Sequence, residues 1–503
     1  MKEDFAPFLP HLLPGILEKF TLAPKEFTAD AAGDLDEGAE VSLTMLQQPD
    51  GQMKVLVMSS SEVEDLIHAL ECVHAFVEKL GKAYVPYVQQ TAEALLPVFD
   101  FSIREEVRNL AFDVWGQLVE TARAEGQAQA LTQKFMQITL PKFGATTVDV
   151  DAFKTCADGV SACLKKAGPN VLTAEELMNV SQVALKAIKE SFDRRDKESI
   201  EKSKKVVEAG DDDDVNDEEE DEGLLRIALC EVLGALMQHH ADSFVAAALP
   251  LVLELVAKLF SSAVAPTNPQ LPKNVLTAIA LEDRKLALFI VCDFLEHLKT
   301  RITGHWGSFM PQMVEDIMHQ NPELRQPACY GMSLAAKDPA FAPLSVDVSQ
   351  KLAQIITQAR GLEKKKTHKP AQGVADNALT ALVEILLNHS ATLGAAQPQL
   401  WSVWMGGLPC QEDGEEGEKN HATLLRLIQQ EKPEVVGEGG ANLPKLVQIL
   451  VDVYKTEMVS EETSAGIGKL VVMLGQARLE QYAGGYSAKQ QKKLARIMKE
   501  AAA

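Results

Sequence analysis

The residue types that do covalent or metal chemistry are present in this 503-residue chain, but they are not spaced to work together. Seven cysteines stand singly at Cys72, Cys156, Cys163, Cys230, Cys292, Cys329 and Cys410. None forms a C-x-x-C pair, so neither a zinc knuckle nor a redox dithiol is spelled out. Cys156 and Cys163 fall on one helix face, and the set reads as buried, reduced thiols of an intracellular chain. His239 and His240 are adjacent and point to different sides of a helix, a poor arrangement for one metal. They read as a helix end, where protonated His favours the C-terminal dipole. H-E-x-x-H, G-x-S-x-G and G-x-G-x-x-G are absent. The nearest approach to a phosphate-binding loop, SAGIGKL at Ser464–Leu470, lacks the first glycine and the hydroxyl after Lys469, so it reads as helix packing. Carboxylate pairs such as Glu105–Glu106 and Glu415–Glu416 read as exposed turns, with no pocket to separate two pKa values. No catalytic residue, metal ligand or cofactor is expected, and the chain does not read as an enzyme.

Charge is the stronger signal. The formal net charge is −23, the wrong sign for a surface that tracks phosphates, so direct nucleic-acid binding is not expected. An acidic insertion at about 206–223 contains Asp211, Asp212, Asp213, Asp214, Asp217, Glu218, Glu219, Glu220, Asp221 and Glu222 and no base. Self-repulsion should make it a solvated loop between a helix ending near Lys205 and one beginning at Leu224. It either attracts a basic partner or is a tolerated, solubilising insertion. The basic connector at 363–369, with the run Lys364–Lys369, has the composition of an import signal and the alternative of a solvated linker. Trp115, Trp306, Trp401 and Trp404 read first as core residues and second as surface pockets. Arg108, Arg284 and Arg325 hold similar places near the starts of helical segments. They read as a structural ladder, with partner contact the other possibility.

These residues must be positioned by helices. In the segments from Arg104 and from Phe244, apolar residues such as Val107, Leu110, Val114 and Leu118, or Val245, Leu249, Val252 and Val256, recur at three and four. Alternating runs are scarce, so no strands are expected, and Asp30–Met53 reads as an acidic loop. The longest apolar stretch, Phe244–Phe260, contains Pro250, Glu254 and Lys258 and is too short and polar to cross a membrane. The acidic start MKEDFAPFLP does not resemble a secretory signal. Two segment types alternate. Aromatic–proline segments open near Asp4, Lys82, Ser243, Ser308 and Leu400. Charged-then-alanine-rich ones open at Glu105, Leu281, Pro322 and Val374. The step is about 40–47 residues, that of HEAT helix pairs. The expected fold is therefore all-α: an α-solenoid of nine or ten HEAT-type antiparallel helix pairs in a right-handed superhelix, continuous over 1–503.

Ordered motifs then carry a resemblance. MKEDFAPFLPHLL, VRNLAFDVWGQLVE at Val107, and PELRQPACYGMSLAA at Pro322 are similar to segments of the importin-β superfamily, in the importin-5 (karyopherin β3) branch. Leu324, Pro327 and Cys329 depart from the pattern. Trp404, Leu408-Pro409, Glu412-Asp413 and Glu415-Glu416, then Pro433, Val436-Gly437 and Asn442–Lys445, follow in the family's order. Met1 aligns about halfway along a full-length member. The resemblance implies a nuclear transport receptor moving between cytoplasm and nucleus through the pore. Its implied partners are basic cargo of ribosomal-protein or histone type and Phe-Gly nucleoporins, with Ran-GTP only where the amino-terminal half is present. A HEAT scaffold for assembling a protein complex is the alternative.

Overall fold

The computed structural model describes residues 5–28, 41–47, 53–144, 150–209, 217–264, 271–363 and 365–501. It divides into two compact units, Met1–Leu255 with Ala265–Glu282, and Val256–Val264 with Asp283–Ala503. Both are built from antiparallel helix pairs, as the alternation of segments predicts.

In the first unit the second helices of successive pairs are Ser60–Leu80, Glu105–Arg123, Val150–Ala167 and Asp217–His239, each packed on the next. The first helices include Val88–Leu95, Ala128–Thr139 and Ala174–Ala209. In the second unit Pro322–Ala335, Lys369–Asn388, Gly414–Gln429 and Glu461–Leu474 pack in the same way. The starts at Ser60, Glu105 and Val150, and again at Pro322, Lys369, Gly414 and Glu461, are about 45 residues apart, the HEAT step.

The helix Glu105–Arg123 shows why the sequence folds this way. Arg104 is extended, Glu105 and Glu106 fill the first turn, and Arg123 fills the last, so charges complement the dipole at both ends. Val107, Ala111, Val114, Trp115, Leu118 and Ala122 form its buried stripe. Phe99 stands edge-on to Trp115 and to Phe135, at centroid distances of 5.4 and 5.5 Å. Gly159 lets the next second helix approach: a Cβ there would lie 2.9 Å from the Phe112 ring.

Three features differ from expectation. First, the acidic loop expected over 30–53 ends in sheet structure. Strands β1 (Lys25–Thr28), β2 (Val41–Gln47) and β3 (Met53–Ser59) form an antiparallel sheet in the order β1-β3-β2. Val41-Ser-Leu-Thr-Met45 does alternate, and Val55 and Val57 on its partner are buried, which stabilises a strand. Residues 29–40 and 48–52 lie outside the described residues. Second, the helix expected to end near Lys205 continues to Ala209, and the next begins at Asp217 rather than Leu224. Acids in a first turn are favoured by the dipole, which offsets their mutual repulsion. Third, Glu415–Glu416, read as an exposed turn, lie in the first turn of a helix that begins at Gly414 and is capped by Asp413, whose side chain accepts from Glu416 N–H.

Among the described residues, no single helix is long and apolar enough to cross a membrane, although two bent helix pairs pass on length and composition. The four tryptophans lie in the core. Six cysteines are buried, whereas Cys72 is exposed on Ser60–Leu80, contrary to expectation.

Candidate partner-binding surfaces

The acidic insertion is only partly a surface. Asp211, Asp212, Asp213 and Asp214 lie outside the described residues. Asp217, Glu218, Glu219 and Glu220 open the helix Asp217–His239, but their side chains also lie outside. Glu222 is buried, contrary to the solvated loop expected. It accepts from Arg194 Nε and Ser191 Oγ, both at 2.5 Å. Arg226 on the same helix donates to Ser191 Oγ at 3.1 Å and lies over the Phe192 ring, as Arg195 does. Burying a carboxylate demands such a partner. Glu222 therefore ties two helices of one pair together, leaving Asp221 as the described acid that stays partly exposed.

Two of the three arginines of the expected ladder bond to their own chain. Arg108 is buried and donates to the Phe101 carbonyl at 3.0 Å, closing the turn before its helix. Arg284 Nε lies 2.9 and 2.8 Å from the two oxygens of fully buried Asp316. Burial raises the Asp316 carboxyl and the Arg284 guanidinium opposes that rise. Arg325 is half-buried and its Nε makes no hydrogen bond.

A larger polar node was missed in the sequence. Asp376 has no exposed surface. Its Oδ1 accepts from Arg360 Nη2 at 2.5 Å, and its Oδ2 accepts from the backbone N–H groups of Gln411, Glu412 and Asp413 at 2.9, 2.8 and 3.0 Å. Arg360 also donates to the Gly407 carbonyl and to Gln372. One carboxylate thus fixes the Leu408–Asp413 connection, which includes a cis Leu408-Pro409 bond. Trp404 Nε1 donates to Asn420 at 3.0 Å. His421 Nδ1 lies 2.9 Å from the Met458 carbonyl, while its Nε2 accepts from Cys410 N–H at 3.3 Å, so the ring is neutral. Glu416, read as an exposed turn acid, is 3 % exposed and paired with Lys419 at 2.6 Å; burial raises its carboxyl. The Trp404-to-Glu416 motif is a structural staple rather than an open surface.

His239 ends its helix as expected, but His240 is 1 % exposed and burial pushes its imidazole down to about 4, with His239 adding to the effect. A protonated His240 at the dipole is therefore excluded at neutral pH. In the basic connector, Lys365 pairs with Glu363 and Lys369 with Glu412, and Lys369 already opens a helix. Lys364 lies outside the described residues. No group of His, Cys, Asp or Glu that could hold a metal occurs among the described residues.

Concave surfaces remain among the described residues. A groove of about 390 Å³ lies between the first helices Ala128–Thr139 and Ala174–Ala209. Met136, Leu140, Pro141, Leu172, Val180 and Val183 make its apolar wall, and Gln133 crosses it to Glu176 at 2.7 Å. A second groove of about 900 Å³ runs along Glu461–Leu474, where Val472 and Met473 are 55 and 69 % exposed. Both are apolar clefts with polar rims, suited to isolated apolar side chains.

Comparison with known proteins agrees with this architecture. The family model "Importin repeat 6" matches residues 154–261, a stretch that includes part of the groove wall and the Glu222 pairing. The chain is 21 % identical over 452 residues to a probable importin-5 homolog of Dictyostelium discoideum, covering 85 % of this chain and 38 % of that protein. It is 20 % identical over 499 residues to importin subunit beta-3 of Saccharomyces cerevisiae, covering 94 and 41 %. Among solved structures, Kap121p bound to Ste12p superposes with a TM-score of 0.70 at 15 % identity, over 98 % of this chain and 42 % of that one. Kap121p bound to Nup53p gives 0.68 at 15 %, over 98 and 42 %. The chain thus spans about two fifths of the length of the curated relatives it matches. In sequence the chain is thus similar, over that part of their length, to members of the importin-β superfamily in its importin-5 (karyopherin β3) branch, and in fold to Kap121p.

Proposed function

We propose that this chain acts as a nuclear transport receptor, binding basic protein cargo and Phe-Gly nucleoporins, and moves between cytoplasm and nucleus. The observation that carries the reading is the apolar groove between two neighbouring first helices, one wall of which lies in the region matching an importin repeat. A Phe ring can enter such a cleft while Gly neighbours keep the peptide backbone clear. Each contact is weak, and repetition along both partners supplies avidity without slow release. The net charge of −23 complements basic cargo of ribosomal-protein or histone type. The acids of the 206–223 insertion other than buried Glu222 are one contributor in this reading, and residues 1–503 act as one array of helix pairs. The relatives' remaining length lies outside the match, so the proposal covers cargo and nucleoporin binding rather than Ran-GTP-driven release. No enzymatic step is part of it.

The test is calorimetric titration of a lysine-rich cargo peptide into the chain at low and at physiological salt. Binding should weaken as salt rises, because exposed charges are screened. Absence of binding at low salt, together with co-purification of a stable catalytic subunit, would favour the scaffold alternative.

A further inference from the structure

The helix Ala488–Ala501 is basic in a chain whose net charge is −23. Lys489, Lys492, Lys493, Arg496 and Lys499 recur at three and four, so they share one side of the helix as a stripe about 15 Å long. Glu500 is the only acid on this helix. Hydrogen bonds from Lys455, Arg496 and Tyr454 hold its carboxyl down at about 2, so its charge is already engaged. Lys493 donates to the Asp452 carbonyl at 2.8 Å, and the Asp452 carboxylate accepts from Gln490. Burial pushes the Lys493 ammonium down; Asp452 opposes the fall, and Lys489 and Arg496 add to it. Lys489, Lys492 and Lys499 are exposed and form no ion pair among the described residues. The arrangement breaks two local rules. Like charges at i and i+4, as in Lys489–Lys493 and Lys492–Arg496, repel, and Lys489 stands in the first turn, where the dipole disfavours a cation. Leu494 and Ile497, not the exposed lysines, bury the helix. A local rule broken without a packing gain is expected where a surface serves a partner.

We propose that this stripe docks a short acidic segment of a partner protein, with Asp and Glu side chains on Lys489, Lys492 and Lys499. The surroundings select that occupant. Asp452 borders the stripe on the neighbouring helix, and Glu461 and Glu500 stand at its end, on the rim of the groove of about 900 Å³. A nucleic acid runs on as a file of phosphates and meets these acids, whereas a peptide can change composition where the stripe stops. A lipid surface is disfavoured for another reason. Leu494 and Ile497 are 4 and 0 % exposed, so the helix has no free apolar face to insert. A second copy would bring a charge of −23 against another of −23, which opposes self-association. The inference stands apart from the transport reading, because it needs an anionic partner on the last helix and neither a basic cargo nor the groove between first helices.

The experiment titrates the full chain, by fluorescence anisotropy, into a labelled peptide of about ten residues rich in Asp and Glu, and into its neutral counterpart with Asn and Gln. The acidic peptide should bind at low salt and weaken as salt rises, and the neutral one should not bind. Lys489→Gln, Lys492→Gln and Lys499→Gln together should weaken the acidic peptide about tenfold, while Lys→Arg at the same three positions should keep it. Without peptide the Gln variant should melt no lower than wild type, because repulsion along the helix is relieved. A lower melting temperature, or failure to fold, would overturn the proposal by making the lysines structural. So would no binding of the acidic peptide, equal binding of the two peptides, or an affinity that the Gln variant leaves unchanged. The two-peptide comparison needs no variant. A single-stranded oligonucleotide of similar length and phosphatidylserine vesicles are titrated in parallel, and tighter binding of either would reassign the stripe to phosphate groups. A wild-type dimer in sedimentation that the Gln variant converts to monomer would reassign it to self-association.

Discussion

Asp376 is the residue on which the second unit's connections converge, since four donors share its two oxygens and none of its surface meets water. Asp376→Ala leaves Arg360 and three backbone N–H groups without their acceptor, and should lower stability by about 3–5 kcal/mol. Urea unfolding followed by circular dichroism would show it; a midpoint within error of wild type would contradict the assignment. His240 gives a pH signature. Its folded-state pKa, about 4, lies below the usual 6.5 because the ring is buried, so acid protonates the unfolded chain first. Stability should fall as pH drops from about 6.5 towards 4 and level off below, at up to about 1.4 kcal/mol per unit for this group. In His240→Gln the loss of melting temperature between neutral pH and pH 5 should shrink; an unchanged loss would exclude His240 as its source. Neither residue was legible as a node. Asp376 reads as an ordinary polar letter in a helix whose partners stand 35 to 37 positions away. The Trp404-to-Glu416 motif was visible, but burial of Glu416 depends on Lys419, Asn420 and the loop folding over it.

Elements were easier to read than residues, because helix period and end signals are local. The start at Glu105 is marked by two acids, and that at Pro322 by Asn321, whose side chain accepts from Glu323 N–H at 2.8 Å. The sheet was missed although Val41, Leu43 and Met45 alternate with Ser42 and Thr44. Its pairing partner is the next segment, and the acids before it dominated the composition. The spacing between second helices can be tested at Gly159, where a methyl group would press on the Phe112 ring. Gly159→Ala should cost about 1–3 kcal/mol through overpacking, despite its better helix propensity. Its measured unfolding midpoint decides, and stabilisation would mean the helices have slack there. The groove belongs to this scale too. Val183→Asp, at the partly exposed part of the wall, should reduce Phe-Gly binding several-fold with the helical circular dichroism unchanged, since a charged group in an apolar cleft is costly to desolvate.

At the scale of the whole molecule, the chain is built from stacked helix pairs, each needing its neighbours to bury an apolar face. The charge of −23 is also better resolved, because part of the acidic excess is internal: Glu222, Asp316, Asp376 and Glu416 are buried and paired. Only the exposed remainder is available to a cargo. The proposed function rests on isolated Phe side chains of nucleoporins entering the apolar groove between Ala128–Thr139 and Ala174–Ala209. The most direct measurement is retention of the full chain on an immobilised Phe-Gly repeat domain and on the same domain with every Phe changed to Ser. Rapid, reversible retention is expected on the first, little on the second, and weaker retention when Val183 is changed to Asp. Equal retention on both domains, or none on either, would contradict it.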